Sequence, residues 1–333
     1  HGIPARGSHP PLPSPPVAAD PVVLDVTEFG AVGDGVANDG PAVLAHACFE
    51  DFDGFRHIRP RFDPERGAVL HLPAGTYRLG PLDGYDRHHS FPFSRFHIRG
   101  EGVGRTVVLL DHVAYPKVRI SIHGDARFGG GVDTSIRDLT IASTLPQPPD
   151  RTSADMNVHL RDLHGFTAER VEVCDGPRIG FHVNSCTDVT LRDCHVHDMC
   201  TDGIHLVGCH QALVESCRIA DTGDDAIAVW GGNWWNPDQS TDVTLRGNRI
   251  ERAGSNGIAL GGCDRVAMLA PWADGRKWVA WCAEETIWCS YSPGADAGWM
   301  PAEEMGEGHC PDLARGPAGR VYLAWADATG LTC

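Results

Sequence analysis

The chain lacks the features that would make it a membrane, fibrous or nucleic-acid-binding protein. Across its 333 residues no apolar run approaches the roughly 20 residues of a bilayer span, and neither a Gly-X-Y period nor a coiled-coil heptad occurs. Positive charge is scarce. Lys and Arg total 28 against 44 Asp and Glu, a formal charge of −16 with no basic block, which argues against nucleic acid as the partner. What is abundant is turn chemistry, with 39 Gly and 24 Pro, beside 42% hydrophobic residues. That length can bury a core without covalent staples. The expectation is a soluble, turn-rich globular protein without a membrane partner.

Twelve cysteines form an even set, which points to an oxidising compartment. His1 rather than Met opens the chain, so a processed, secreted protein is expected. Residues 1–20 hold the run HPPLPSPPVAAD (9–20) and read as an extended linker or a disordered N-terminus.

From Phe166 onward the sequence repeats. FTAERVEV (166–173), VTLRDCHV (189–196), ALVESCRI (212–219) and VTLRGNRI (243–250) align without gaps, as do GFHV (180–183), GIHL (203–206), AIAV (226–229) and GIAL (257–260). The spacing is 23, 23 and then 31 residues, so an inserted loop of eight near Gly231–Asp238 accounts for the long interval. TSIRDLTI (134–141) extends the first set upstream. Alternating apolar residues mean strands. A 23-residue unit cannot bury its own apolar face, but stacked units can, with like residues in columns. The sequence therefore predicts an all-β, parallel β-helix of about 23 residues per coil over 21–265. A leucine-rich horseshoe is excluded because its signature is missing.

At this point the chain resembles a family. VTEFGAVGDGVANDG (26–40), GAVLHLPAGTYRLG (67–80) and IRGEGVGRTVVLL (98–110) resemble the opening segments of pectate-lyase-like and polygalacturonase-like right-handed β-helix proteins. Asn38 or Asp39 is expected to cap a short helix starting near Pro41 that plugs the coil. The resemblance runs over roughly residues 22–265 and specifies fold more than activity, since the superfold hosts hydrolases, lyases, epimerases and phage spikes.

The repeat stacks Ile179, Asp202, Asp225 and Asn256 in one column, with Asp224 beside Asp225. Coils lie roughly 4.8 Å apart, so Asp202 and Asp225 meet, and a shared proton suits acid/base cleavage of a glycosidic bond. CTDGIHL (200–206) and TGDDAIAV (222–229) resemble the Asn-Thr-Asp-Gly and Gly-Asp-Asp-Cys words of polygalacturonase-like hydrolases. That resemblance implies Asp202, Asp224 and Asp225 as catalytic carboxylates of an inverting hydrolase. Two words depart. The family's Gly-His-Gly falls on Ser255-Asn256-Gly257, and its Arg-Ile-Lys, which grips a uronate, has no counterpart. With the negative charge, this favours a neutral or weakly charged glycan. The competing readings are Asp as turn caps, a Ca²⁺ site of a lyase or epimerase with Arg178 as the nearby base, and a non-catalytic glycan-binding or fibre module. For a hydrolase no cofactor or metal is expected.

Around the column, His182 and His205 stack one coil apart, and Trp230 leads into a loop with Trp234 and Trp235 that could stack on sugar faces. With Asn256 and Arg178 these form the expected substrate-binding set. CHVHDMC (194–200) places His195 and His197 on one strand face, but no further ligand has zinc spacing. Cys186 and Cys209, and Cys194 and Cys217, are each 23 apart, so each pair forms either a coil-to-coil disulfide or a reduced ladder.

After residue 265 the pattern changes, and 266–333 holds six of the nine Trp. GRKWVAW (275–281) and GRVYLAW (319–325) echo each other 44 residues apart, a spacing that suits propeller blades. This segment resembles sialidase-type repeats and is expected to form a short, incomplete antiparallel β segment, since closure needs at least four blades. Sugar, linkage and oligomeric state are not legible.

Overall fold

The computed structural model describes residues 20–52, 58–82, 89–145, 155–231, 238–271, 277–283, 286–292, 301, 303–307, 309–315, 321–327 and 330–332. Side chains are described as far as Met268 with few gaps. The molecule is a three-faced right-handed parallel β-helix. The first face stacks Val22–Asp25, Ala68–His71, Phe96–Arg99, Val132–Ser143, His164–Gly176, Thr187–Arg192, His210–Glu215, Ser240–Arg246 and Cys263–Pro271. The second carries His195–Met199, Arg218–Thr222 and Arg249–Ala253 above the far half of His164–Gly176. The third is a seven-stranded sheet running from His89–Phe91 to Ile258–Gly261.

The expected register is observed. Phe181 pairs with Ile204, Ile204 with Ile227 and Ile227 with Ile258. Of these, Phe181, Ile204 and Ile227 are fully buried, as are Val183, Leu206 and Val229 in the next inward column. Each such side chain contributes roughly 1.5–3 kcal/mol by leaving water. No single coil could supply these contacts, so the stack is the folding unit. Near the N-terminal end the columns become aromatic, and Phe49, Phe62, Phe91, Phe93, Phe96 and Phe128 pack ring on ring at 4.9–6.0 Å.

The corners explain why the chain is rich in Asp. Asp175, Asp198, Asp221 and Arg252 stack at one corner with φ between 52° and 54°, and Asp188, Gln211, Asp242 and Arg265 at another with φ between 50° and 58°. Asp tolerates this left-handed backbone better than most residues because its short side chain bonds locally.

One expectation needs correction, and one left open is decided. The helix Pro41–His46 forms, with π-type hydrogen bonding, and Val43 and Leu44 are buried. Neither Asn38 nor Asp39 is its N-cap, however. Gly40 holds that place without a side-chain cap. The Asp39 carboxylate turns back to accept from Val32 and Gly33 N–H at 2.7 and 3.2 Å, and Asn38 Oδ1 takes the Gly40 and Gly80 N–H groups. The cysteine pairs are reduced ladders. Cys48, Cys174, Cys186, Cys194, Cys200, Cys209, Cys217 and Cys263 are all free thiols, and no disulfide is seen among the described residues. Cys209 and Cys217 instead donate to the carbonyls of Val183 and Leu191 in the coil below, at 3.4 and 3.5 Å. Finally, the change of pattern at 265/266 falls inside a strand. Cys263–Pro271 pairs parallel with Ser240–Arg246 and antiparallel with Lys277–Ala283, which continues through Thr286–Ser292 to Glu303–Glu307. A separate antiparallel sheet holds His309–Arg315, Val321–Asp327 and Gly330–Thr332.

Candidate active site

Three backbone bonds fix the acidic column. Gly180 N–H donates to the Asp202 carbonyl, Gly203 N–H to that of Asp225, and Ala226 N–H to that of Asn256, at 2.9–3.1 Å. Asp224 lies beside them, its N–H on the Thr201 carbonyl and its own carbonyl accepting from Ser255. The three carboxylates converge, and Asp202, Asp224 and Asp225 each place one oxygen within 4.8 Å of the others. None of the three is among the left-handed corner residues, so they are not the turn-forming aspartates that fill the rest of the fold. Asp202 is buried and the other two are half-exposed.

Asp202 is the organising group. Its Oδ2 lies 2.7 Å from His205 Nδ1, and its Oδ1 accepts from the Asp225 N–H at 3.2 Å. An ionised Asp202 accepts from Nδ1–H and leaves the lone pair of the neutral ring on Nε2. Asp225 is held from above, where Asn256 donates both its backbone N–H and its side-chain amide to Oδ1 at 3.0 and 2.8 Å. Asn256, expected to touch substrate, therefore orients a carboxylate. Close packing keeps this turn in place. A Cβ on Gly203 would sit 2.6 Å from Ile219 Cγ2 and 2.7 Å from the Ala226 carbonyl, so only glycine fits beneath Asp202.

A row of imidazoles runs from the carboxylates toward the N-terminal end. His159, His182 and His205 are in register on successive strands. The first pair stacks at 5.2 Å and the second meets edge to face at 5.7 Å. His182 is pushed down to about 3, first by burial and then by the charges of His205, Arg178 and Arg119. It is a neutral ring at any ordinary pH. Arg178 is exposed and close enough to act on that ring, which places it on the border of the row. Trp230 is exposed at the far end of Ile227–Trp230, its ring lying across Gly261 of the next coil. Trp234 and Trp235 lie outside the described residues.

His159 escaped the sequence reading although the signal was present. VHLR (158–161) precedes FHVN (181–184) by 23 residues, but the irregular stretch before it hid the coil. Beside it Arg119 pairs with Asp155. That contact joins two poorly patterned segments and leaves no mark in the spacing.

The fold and site define a β-helix bearing an acidic cluster. Residues 179–269 match the family model described as the right handed beta helix region. Its curated relatives include mannuronan C5-epimerase AlgE4 of Azotobacter vinelandii, 28% identical over 186 residues, covering 54% of this chain and 31% of that protein. Mannuronan C5-epimerase AlgE2 of the same organism is 30% identical over 191 residues, 54% of this chain and 17% of the relative. Its alginate lyase 7 is 28% identical, with coverage of 54% and 20%. The chain thus spans less than a third of each of these relatives. Among solved structures, the Azotobacter vinelandii AlgE6 A-module superposes with a TM-score of 0.54 at 20% identity, covering 73% of this chain and 62% of that one. The catalytic unit of a GH87 α-1,3-glucanase from Streptomyces thermodiastaticus does so with 0.50 at 18%, covering 73% and 43%. Both share the fold.

Proposed function

We propose that the protein is a secreted polysaccharide-degrading enzyme that hydrolyses a neutral or weakly charged glycan at Asp202, Asp224 and Asp225. The convergence of three carboxylates from adjacent coils, with His205 locked onto one of them, carries this reading. Asp202 and Asp225 are each fixed by two donors, which suits them to hold and deprotonate a water. Asp224 at the flank then protonates the leaving glycosidic oxygen. The histidine row and the exposed Trp230 offer further contacts for sugar. A uronate carboxylate would meet the charges of Asp202 and Asp225 here, and this disfavours an acidic substrate.

Inversion of the anomeric carbon follows from the resemblance. A simple pair of carboxyl groups inverts at a separation of about 6.5–9.5 Å, wider than the closest oxygens here, but a trio can divide between holding water and protonating. Proton NMR of the first product distinguishes the outcomes. Inversion gives the anomer opposite to the substrate linkage, and the same anomer would overturn it.

A second reading is favoured by the names of the sequence relatives: a Ca²⁺-assisted lyase or epimerase acting on a uronan. The same three carboxylates supply hard oxygen donors of the kind Ca²⁺ takes, and Arg178 would face the uronate. A glycan panel separates the readings. Hydrolysis yields new reducing ends that persist in EGTA, a lyase yields unsaturated ends that EGTA abolishes, and an epimerase changes the uronate ratio without cleavage. Retention on a glycan without any product would mark a binding module.

A further inference from the structure

Apart from this acidic cluster, on the second face of the coil, three side chains converge that the proposed reaction does not use. Glu172 in His164–Gly176 is in register with His195 of the next strand, and His197 lies two residues further along the same strand face. His197 Nε2 is 3.4 Å and His195 Nδ1 3.7 Å from the same oxygen, Glu172 Oε1. The two rings lie 4.2 Å apart between centroids. The missing third ligand of the CHVHDMC run is thus supplied from the coil below, exactly one 23-residue repeat before His195.

The groups around the cluster fix how it faces. Asp198 Oδ2 is 2.6 Å from His197 Nδ1. A proton on Nδ1 donates to Asp198 and turns the bare Nε2 lone pair toward Glu172. Thr140 Oγ1 donates to the other Glu172 oxygen at 2.8 Å, which aims Oε1 at both rings. With that tautomer of His197 and a bare His195 Nδ1, acceptors converge on one point, where a cation between them would offset their repulsion. With bonds of about 2.0–2.1 Å, ligand atoms on a tetrahedral ion lie about 3.3 Å apart, close to the separations found. A carboxylate on the second nitrogen of a ligating histidine is also the usual outer partner of such a site. Arg218, in register with His195, is the nearby opposing charge, and Glu251 pairs with it at 2.9 Å.

We propose that Glu172, His195 and His197 form a binding site for a divalent transition-metal ion of the zinc class, with Asp198 and Thr140 as outer partners. Two imidazoles and one carboxylate select such an ion over Ca²⁺ or Mg²⁺ and leave a position for water. The ion would clip two coils together through residues distinct from the acidic cluster, so the proposal stands apart from the proposed reaction.

The test is titration of metal-stripped protein with Co²⁺ at pH 7.5, read by visible ligand-field absorption. One equivalent is expected to give these bands without a thiolate charge-transfer band, since Cys194 is buried. His197→Gln and Glu172→Gln should each weaken binding at least 100-fold, and Asp198→Asn about 10–100-fold. Asp202→Asn should leave it unchanged. Far-ultraviolet circular dichroism checks that each variant is folded, and Zn²⁺ should raise the melting temperature of the wild type but not of His195→Gln/His197→Gln. Absence of bands at millimolar Co²⁺, or bands that survive in the folded double variant, overturns the site.

Discussion

Replacing Asp225 with Asn should separate activity from stability. The side chain keeps its shape, and its Oδ1 can still accept both donors from Asn256. What disappears is one negative charge whose like neighbour, Asp202, has an oxygen within 4.8 Å of it. At that distance a pair of unit charges repels by about 0.9 kcal/mol in water and about 3.5 kcal/mol at an effective dielectric of 20. Asp225 is half-exposed, so the relief lies toward the lower figure. Loss of charge assistance in the exposed Asn256 bonds costs about 0.5–1 kcal/mol. The net expectation is a fold between unchanged and about 2 kcal/mol more stable, with a melting point up to about 4 °C higher at about 2 °C per kcal/mol. Hydrolysis should fall by about 10²–10⁴-fold, the usual share of a general acid or base. Calorimetry and a reducing-end assay on the same preparation read both quantities. An Asp225→Asn protein that keeps more than a tenth of the wild-type rate, or melts several degrees lower, would show that Asp225 is a structural turn residue and refute the reasoning.

Further outcomes can be stated from the same geometry. Gly203→Ala forces its new methyl against Ile219 and the Ala226 carbonyl. It should cost about 1–3 kcal/mol in a urea melt and lower kcat by displacing Asp202. His89 and His112 are fully buried and pushed down to about 4 by burial, from 6.5. Unfolded chains take up these protons first, so stability should fall as pH drops from about 6.5 to 4, by up to about 1.4 kcal/mol per pH unit for each ring. His89→Leu should flatten that slope, and an unchanged slope would contradict it. EGTA should leave hydrolysis intact, whereas inactivation reversed by Ca²⁺ would favour the lyase or epimerase reading.

The solenoid was legible because its columns repeat at a fixed interval, and a mispaired register would turn Ile204, Leu206 and their neighbours to solvent. The aspartate column followed from the same arithmetic. What spacing could not convey was how side chains bend. That His205 turns onto Asp202, that Asn256 serves Asp225, and that Asp39 folds back to Val32 depend on local rotamers and backbone angles. Thiol ladders and disulfides share one spacing, so the choice at Cys186 and Cys209 required coordinates. Glu172 was overlooked for another reason. It sits among ordinary surface charges of a strand, and its two histidines belong to the following repeat.

The long interval between Ile227 and Ile258 has a practical consequence. This interval is eight residues longer than its neighbours, yet Ile227 still pairs with Ile258 and Val229 with Leu260 as if nothing had been inserted. The scaffold therefore behaves as a spindle that keeps its register when extra sequence is spliced between coils. Grafting a foreign sequence at that junction, with Gly231 and Ser240 retained as anchors, offers a way to add new surface without redesign of the interior.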